Sequence, residues 1–187
     1  MATLSDFMKF TKIVFDDFAK YVEDNSRKRF LRKYKFQKKA SSKGKLYNAI
    51  DSNVEVFENS ILVRFPFMKD VDYAKFVDQG VKGKTSTYSP SKGSPFRFGS
   101  GNKDGGLREG INKWVKAKRF QFRTEDGKFM SYQSMTYLIS RKIYNKGIPA
   151  KKFFTRSFDE AYENLPQEIV EAFALDVKER FKEFTKK

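Results

Sequence analysis

At Ser52 the apolar residues of this chain stop recurring at helical spacing and begin to alternate, and that change of period narrows the folds open to it. Before it, Leu4, Phe7, Met8, Val14, Phe15, Phe18 and Val22 form one helical stripe from Thr3 to about Asp24, with Thr3 and Asp6 spaced as a capping pair. Asn25 and Ser26 interrupt the stripe, and Phe30, Leu31 and Tyr34 resume it. The segment from Arg27 therefore reads as a second helix or a continuation of the first, fading by Ser41-Ser42-Lys43-Gly44. After Ser52, Val54 and Val56 alternate with Asn53 and Glu55, a turn falls near Glu58-Asn59-Ser60, and Ile61, Val63 and Phe65 continue. This is the pattern of a β-hairpin over 52–67, with Pro66 at the end or edge of its second strand.

Helical spacing returns in the second half. Leu107, Ile111, Trp114, Val115 and Lys118 fit a short helix, and KRFQFRTEDGKFM fits a short strand with a turn at Glu125-Asp126-Gly127. Met135, Leu138, Ile139 and Ile143 share one face of a helix from about Ser131 to Lys146, which Gly147 ends as a left-handed cap before Pro149. Phe153 and Phe154 are extended or open a short helix through Tyr162. Pro166 starts a last helix whose stripe is Ile169, Phe173, Val177, Phe181 and Phe184.

That order predicts an α+β domain in which a small antiparallel sheet, the hairpin plus further strands, packs against several helices, with a long N-terminal helix and a C-terminal helix. The reading is of one domain over 1–187, with a helical basic arm at 1–41, the hairpin and an aromatic motif at 42–80, a long extended loop at 81–106 and a helical remainder at 107–187. Phenylalanine occupies 21 positions, so much of the core is expected to be ring against ring.

Cysteine and histidine are both absent, which removes disulfides, thiolate nucleophiles, the usual zinc ligand sets and imidazole acid/base catalysis. The glycines at 99, 101, 105 and 106 lack the G-x-x-x-x-G-K-[ST] spacing of a phosphate loop. Carboxylate pairs such as Asp16-Asp17, Glu23-Asp24 and Glu125-Asp126 are neighbours along the chain only, which gives a metal no converging ligands. No catalytic residue, metal site or cofactor is expected. No apolar run approaches the roughly 20 residues of a membrane span, and MATLSDFMKF lacks a signal pattern, so the chain reads as soluble, unprocessed and without a membrane partner.

A net charge of +16 implies nucleic acid or an acidic protein nearby. Ten lysines and arginines fall between Arg27 and Lys45 without one acidic residue. Arg27, Lys28, Arg29, Arg32, Lys33, Lys35, Lys38 and Lys39 are the candidate contacts with phosphates or with an acidic neighbour, while Phe30, Tyr34 and Phe36 hold the helix on the domain. In YAKFVDQG, Tyr73, Phe76 and Val77 read as one buried side and Gly80 as a positive-φ exit, together the structural anchor of the loop that follows. Within that loop Tyr88, Phe96, Arg97 and Phe98 are the candidate partner contacts, because apolar rings on an aperiodic surface segment call for a partner.

Several elements, in order, resemble one family. Ser42-Lys43-Gly44-Lys45-Leu46-Tyr47-Asn48-Ala49-Ile50 is similar to a [ST]-x-G-x-L-x-x-S-I element that opens a hairpin, with Ala49 at the serine position. Asp72 to Gly80 resembles Y-A-x-[YF]-V-[ED]-x-G, Ile111 to Val115 resembles I-x-x-W-[IV], and Leu138 to Phe154 resembles a helix closed by G-I-x-x-x-x-F-F. The resemblance, over about Gly44 to Phe158, is to the tail-completion or head-tail joining (neck) proteins of tailed bacteriophages, of the lambda Z type; the loop at 81–106 is long for that pattern. It implies a non-enzymatic structural virion protein at the head-tail junction, assembled in the host cytoplasm. It further implies a homo-oligomeric ring, hexameric or dodecameric, that meets portal, neck or tail proteins and surrounds the channel for packaged DNA. From charge alone, the alternative is a small basic nucleic-acid-binding module.

Overall fold

Asn25 and Ser26 do not break the first helix. In the computed structural model, which describes residues 8–32, 44–57, 60–85, 93–99 and 106–185, helix α1 runs without interruption over Lys9–Arg32. The Asn25 side-chain amide donates to the Tyr21 carbonyl one turn back at 2.9 Å, and Ser26 is small enough to be buried. Of the two readings of the basic segment, continuation is the one found as far as Arg32; residues 33–43 lie outside the described residues.

Helix α2 (Lys45–Ala49) leads into strands β1 (Asn53–Val56) and β2 (Ile61–Arg64), an antiparallel pair in which Asn53 faces Arg64 and Val56 faces Ile61. The Phe57 amide donates to the Ser60 carbonyl at 2.8 Å where the predicted turn falls. Pro66, at φ −58, directly precedes α3 (Phe67–Asp70), a position where its missing N–H costs the helix nothing. Then come α4 (Ala74–Gln79), β3 (Val81–Lys82), α5 (Leu107–Lys118), α6 (Tyr132–Lys146), β4 (Gly147–Ile148), α7 (Thr155–Tyr162) and α8 (Leu165–Thr185). Eight helices and two two-stranded antiparallel sheets among the described residues make the class α+β, as the alternation of periods predicts.

The chain divides into two compact units, Met1–Asp78 with Lys151–Lys187, and Gln79–Ala150. The first boundary falls where the aromatic motif ends. The second lies at Ala150, because Val81 and Lys82 pair with the residues directly after α6 and residues 96–98 pair with Lys82 in turn. Val81 faces Ile148 and Lys82 faces Gly147, the Lys82 amide donates to the Phe96 carbonyl at 2.8 Å, and the Phe98 amide donates to the Lys82 carbonyl at 2.9 Å.

In the first unit α1 packs against β1, β2, α7 and α8. Its core is ring against ring: Phe30 meets Phe153 at 5.4 Å and 79°, Phe67 meets Phe154 at 5.4 Å and 84°, and Phe18 meets Phe158 at 5.5 Å and 81°. Edge-to-face pairs of this kind add about 0.5–1.5 kcal/mol each beyond the area they bury. The last helix differs from its predicted packing. Leu165, Ala172 and Asp176 are buried, Ile169 and Val177 are half-buried, and Phe173, Phe181 and Phe184 of the expected stripe are exposed. The face that packs is the one carrying a carboxylate that α1 needs, described below.

In the second unit α5 packs on α6, with Val115 and Met135 fully buried. Ser131 caps α6 by accepting from the Ser134 amide at 3.1 Å, and a turn with Gly127 at φ +76 sits between Arg123 and Phe129, which pair as a single bridge. Gly147 takes a positive φ of 83 but an extended ψ of −173, so α6 does not close in the expected left-handed cap. The chain passes directly into β4, where a Cβ on Gly147 would lie 2.3 Å from the Val81 carbonyl oxygen.

Candidate functional site

Within YAKFVDQG, helical geometry separates what looked like one apolar face. Ala74 and Asp78 are fully buried and Val77 is half-buried against the core, whereas Tyr73 and Phe76 are 43% and 41% exposed. Of the expected buried side, Val77 packs on the core while Tyr73 and Phe76 are largely exposed, and the i, i+4 pair that is fully buried is Ala74 and Asp78. Tyr73 contributes through its hydroxyl, which accepts from the Leu46 amide at 3.2 Å. Asp78 accepts from the Phe154 amide at 2.8 Å and from the Thr155 amide and hydroxyl, which makes it the cap of α7 from a distant part of the chain. The Asp78 and Val77 carbonyls accept from the amides of Lys152 and Lys151 at 2.8 and 3.0 Å. Gly80 has the predicted positive φ, 74, and a Cβ there would lie 2.6 Å from the Ala150 nitrogen and the Ile148 oxygen.

The basic run is partly used within the fold. Arg27 pairs with Glu23 at 2.6 Å and donates to the Ile50 carbonyl. Arg29 bonds Glu160, which also accepts from Arg156 at 3.0 Å. The Arg156 hydrogen bond, reinforced by the charge of Arg29, holds the Glu160 carboxyl below its ordinary range. Arg27 and Arg29, both in the candidate contact run, thus each hold an intramolecular partner and remain partly exposed. Lys28 is exposed with no ion pair among the described residues, and Arg32 closes α1. Lys33, Lys35, Lys38 and Lys39 lie outside the described residues, as does Tyr88.

Phe96 and Phe98 are half-buried rather than presented outward. Phe98 lies 6.1 Å from the Tyr144 ring, and exposed Arg97 donates to the Lys84 carbonyl at 3.2 Å. The strand-like pairing of this segment with Lys82 supplies the contact that exposed rings lacked in the sequence pattern.

Two surface features of the first unit escape sequence reading. One is a groove of about 450 Å³ between α1 and the α7–α8 corner, lined by Asp17, Glu160 and Glu168 together with Phe18, Tyr21 and Ala161. The other is the outer face of α8, where Val170, Phe181 and Phe184 are 68%, 66% and 66% exposed. Charge is uneven along the chain. Residues 155–185 carry eight carboxylates against four cations, and subtracting that −4 from the chain's +16 leaves +20 on the remainder. Composition alone holds this asymmetry, but net charge conceals it.

Among the described residues no group of three or more Asp or Glu side chains gathers as a metal would require, and no helix is long and apolar enough to cross a membrane. Comparisons with protein-family models, curated proteins and solved structures find no match.

Proposed function

We propose that this chain is a structural virion protein, a ring-forming tail-completion or head-tail connector subunit that joins portal or neck to tail around the DNA channel. The observation that supports it is the pairing of an acidic, apolar-faced α7–α8 segment with a strongly basic remainder. Copies carrying +16 repel one another, so self-association needs surfaces of opposite sign. An acidic groove and an apolar helix face on one copy offer such a surface to the basic region of the next. Contact between different patches is heterologous, and heterologous contacts close into rings when the rotation allows.

The motifs behind the phage-neck resemblance fall on structural positions: Leu46 and Ile50 in the core, Asp78 capping α7, Gly80 at a close backbone approach, and Phe153 at the centre of the ring cluster. The likeness is therefore one of scaffold, which suits a protein whose work is to hold neighbours. Lys28 and the basic residues after it would then face the channel DNA or an acidic ring above or below. Electron microscopy of the intact particle tests the proposal. Ring density at the head-tail junction that fits this chain is expected, and a particle whose junction lacks it would overturn the reading.

A further inference from the structure

The second unit carries a row of exposed rings that the connector reading does not use. Trp114 on α5 is 45% exposed, Phe120 37% and Phe122 52%. Their centroids are 5.6 Å apart from Trp114 to Phe120 and 5.1 Å from Phe120 to Phe122. Phe129 is 61% exposed and has the Arg123 guanidinium 4.8 Å from its centroid. The row is built on hydrogen-bonded backbone. Arg119, left-handed at φ 50, ends α5 and turns the chain so that the Phe120 amide donates to the Val115 carbonyl at 3.0 Å. Gln121 turns the other way and donates to the Met130 carbonyl at 2.8 Å, and the Phe122 amide reaches the Met135 sulfur at 3.5 Å.

The segment that carries these rings is rich in cations. Residues 107–130 hold seven lysines and arginines against three carboxylates. Glu109 is engaged by Lys113 at 2.7 Å, and the other two carboxylates, Glu125 and Asp126, sit in the turn. Lys116, Lys118, Arg119 and Arg123 are exposed and make no ion pair among the described residues.

We propose that this face binds single-stranded nucleic acid, with bases stacking on Trp114, Phe120 and Phe122 and phosphates meeting Lys118, Arg119 and Arg123. One strand supplies flat apolar faces and negative charge together, which is what this surface lacks. A duplex offers no free base faces to these rings, because its bases are already stacked on one another. The inference is independent of ring formation: a chain that forms no ring can still bind a strand here.

Trp114 is the one tryptophan in the chain, so its fluorescence reports on this face alone. The full-length protein is titrated with a thymidine oligonucleotide of about 20 nucleotides and with a duplex of equal length. The proposal predicts saturable quenching by the single strand that weakens steeply between about 50 and about 200 mM salt, and little quenching by the duplex. Phe122→Ala should bind about 10-fold more weakly. Phe122→Leu, which keeps apolar bulk without the ring, should lose most of the same affinity, and Phe57→Ala, at an exposed ring of the first unit, should behave as the parent. No quenching by the single strand, equal quenching by the duplex, or unchanged affinity in both Phe122 variants would overturn the proposal, the first of these leaving the face to a protein partner.

Discussion

Asp176, on the last helix, closes the start of the first: its carboxylate accepts from the Thr11 amide at 2.9 Å and the Thr11 hydroxyl at 2.7 Å, and its other oxygen accepts from the Phe10 amide at 2.8 Å. Asp176 and Thr11 are both buried, so these bonds are shielded from water. Early helical amides have no partner within their own helix, and here a residue 165 positions away supplies one. Asp176→Ala strands three donors and is expected to cost about 2–4 kcal/mol, with Asp176→Asn losing less. Urea unfolding measures this; a change under about 0.5 kcal/mol would contradict the capping role.

Asp78 does the same for α7 through Phe154 and Thr155. Asp78→Ala should speed hydrogen exchange at those two amides, by about 10-fold or more, ahead of any change in the amides of α1. Uniform acceleration throughout the chain would show instead that α7 has no separate dependence on this carboxylate.

At Gly80, φ +74 and the 2.6 Å approach to the backbone of residues 148 and 150 leave no room for a side chain. Gly80→Ala is expected to destabilise by about 1–3 kcal/mol, through strain and displacement of residues 148–150 together. Thermal unfolding of the variant tests this, and a melting temperature equal to the parent's would contradict it.

Glu160 sets a pH dependence. Its folded carboxyl is held below the ordinary 4.5 by the Arg156 hydrogen bond and then by the charge of Arg29. A depressed folded value means the stabilisation is complete above the unfolded carboxylate range and is lost as pH falls through the folded value. The stability gap between the parent and Glu160→Gln should therefore narrow on acidification below about pH 4.5. A gap that stays constant or widens would show that the contacts of Glu160 do not depend on its charge.

Local signals carried much of the fold. The spacing of Leu107 to Lys118 is found as α5, Ser131 caps α6, the Val54 and Ile61 alternation pairs as β1 and β2, and Gly80 has its positive φ. What stayed hidden depends on partners distant in sequence. Nothing beside Asp78 or Asp176 marks either as a cap, because the amides they hold lie 76 and 165 positions away. The last helix has two apolar faces, and the larger side chains draw a periodicity reading to Phe173, Phe181 and Phe184. Packing selects Leu165, Ala172 and Asp176, because that face also satisfies the first turn of α1. The Arg29 pairing was hidden for the same reason, since Glu160 lies 131 positions away, whereas Arg27 and Glu23 are one helical turn apart.

Association of copies through the exposed apolar face of α8 is tested most directly by native mass spectrometry of the purified chain beside a Phe181→Asp/Phe184→Asp variant. Both rings are 66% exposed, so the variant should fold as the parent does, which circular dichroism checks. Closed oligomers of the parent, with six or twelve copies, and monomer for the variant are expected. A parent that remains monomeric at every concentration, or a folded variant that assembles equally well, would contradict that association.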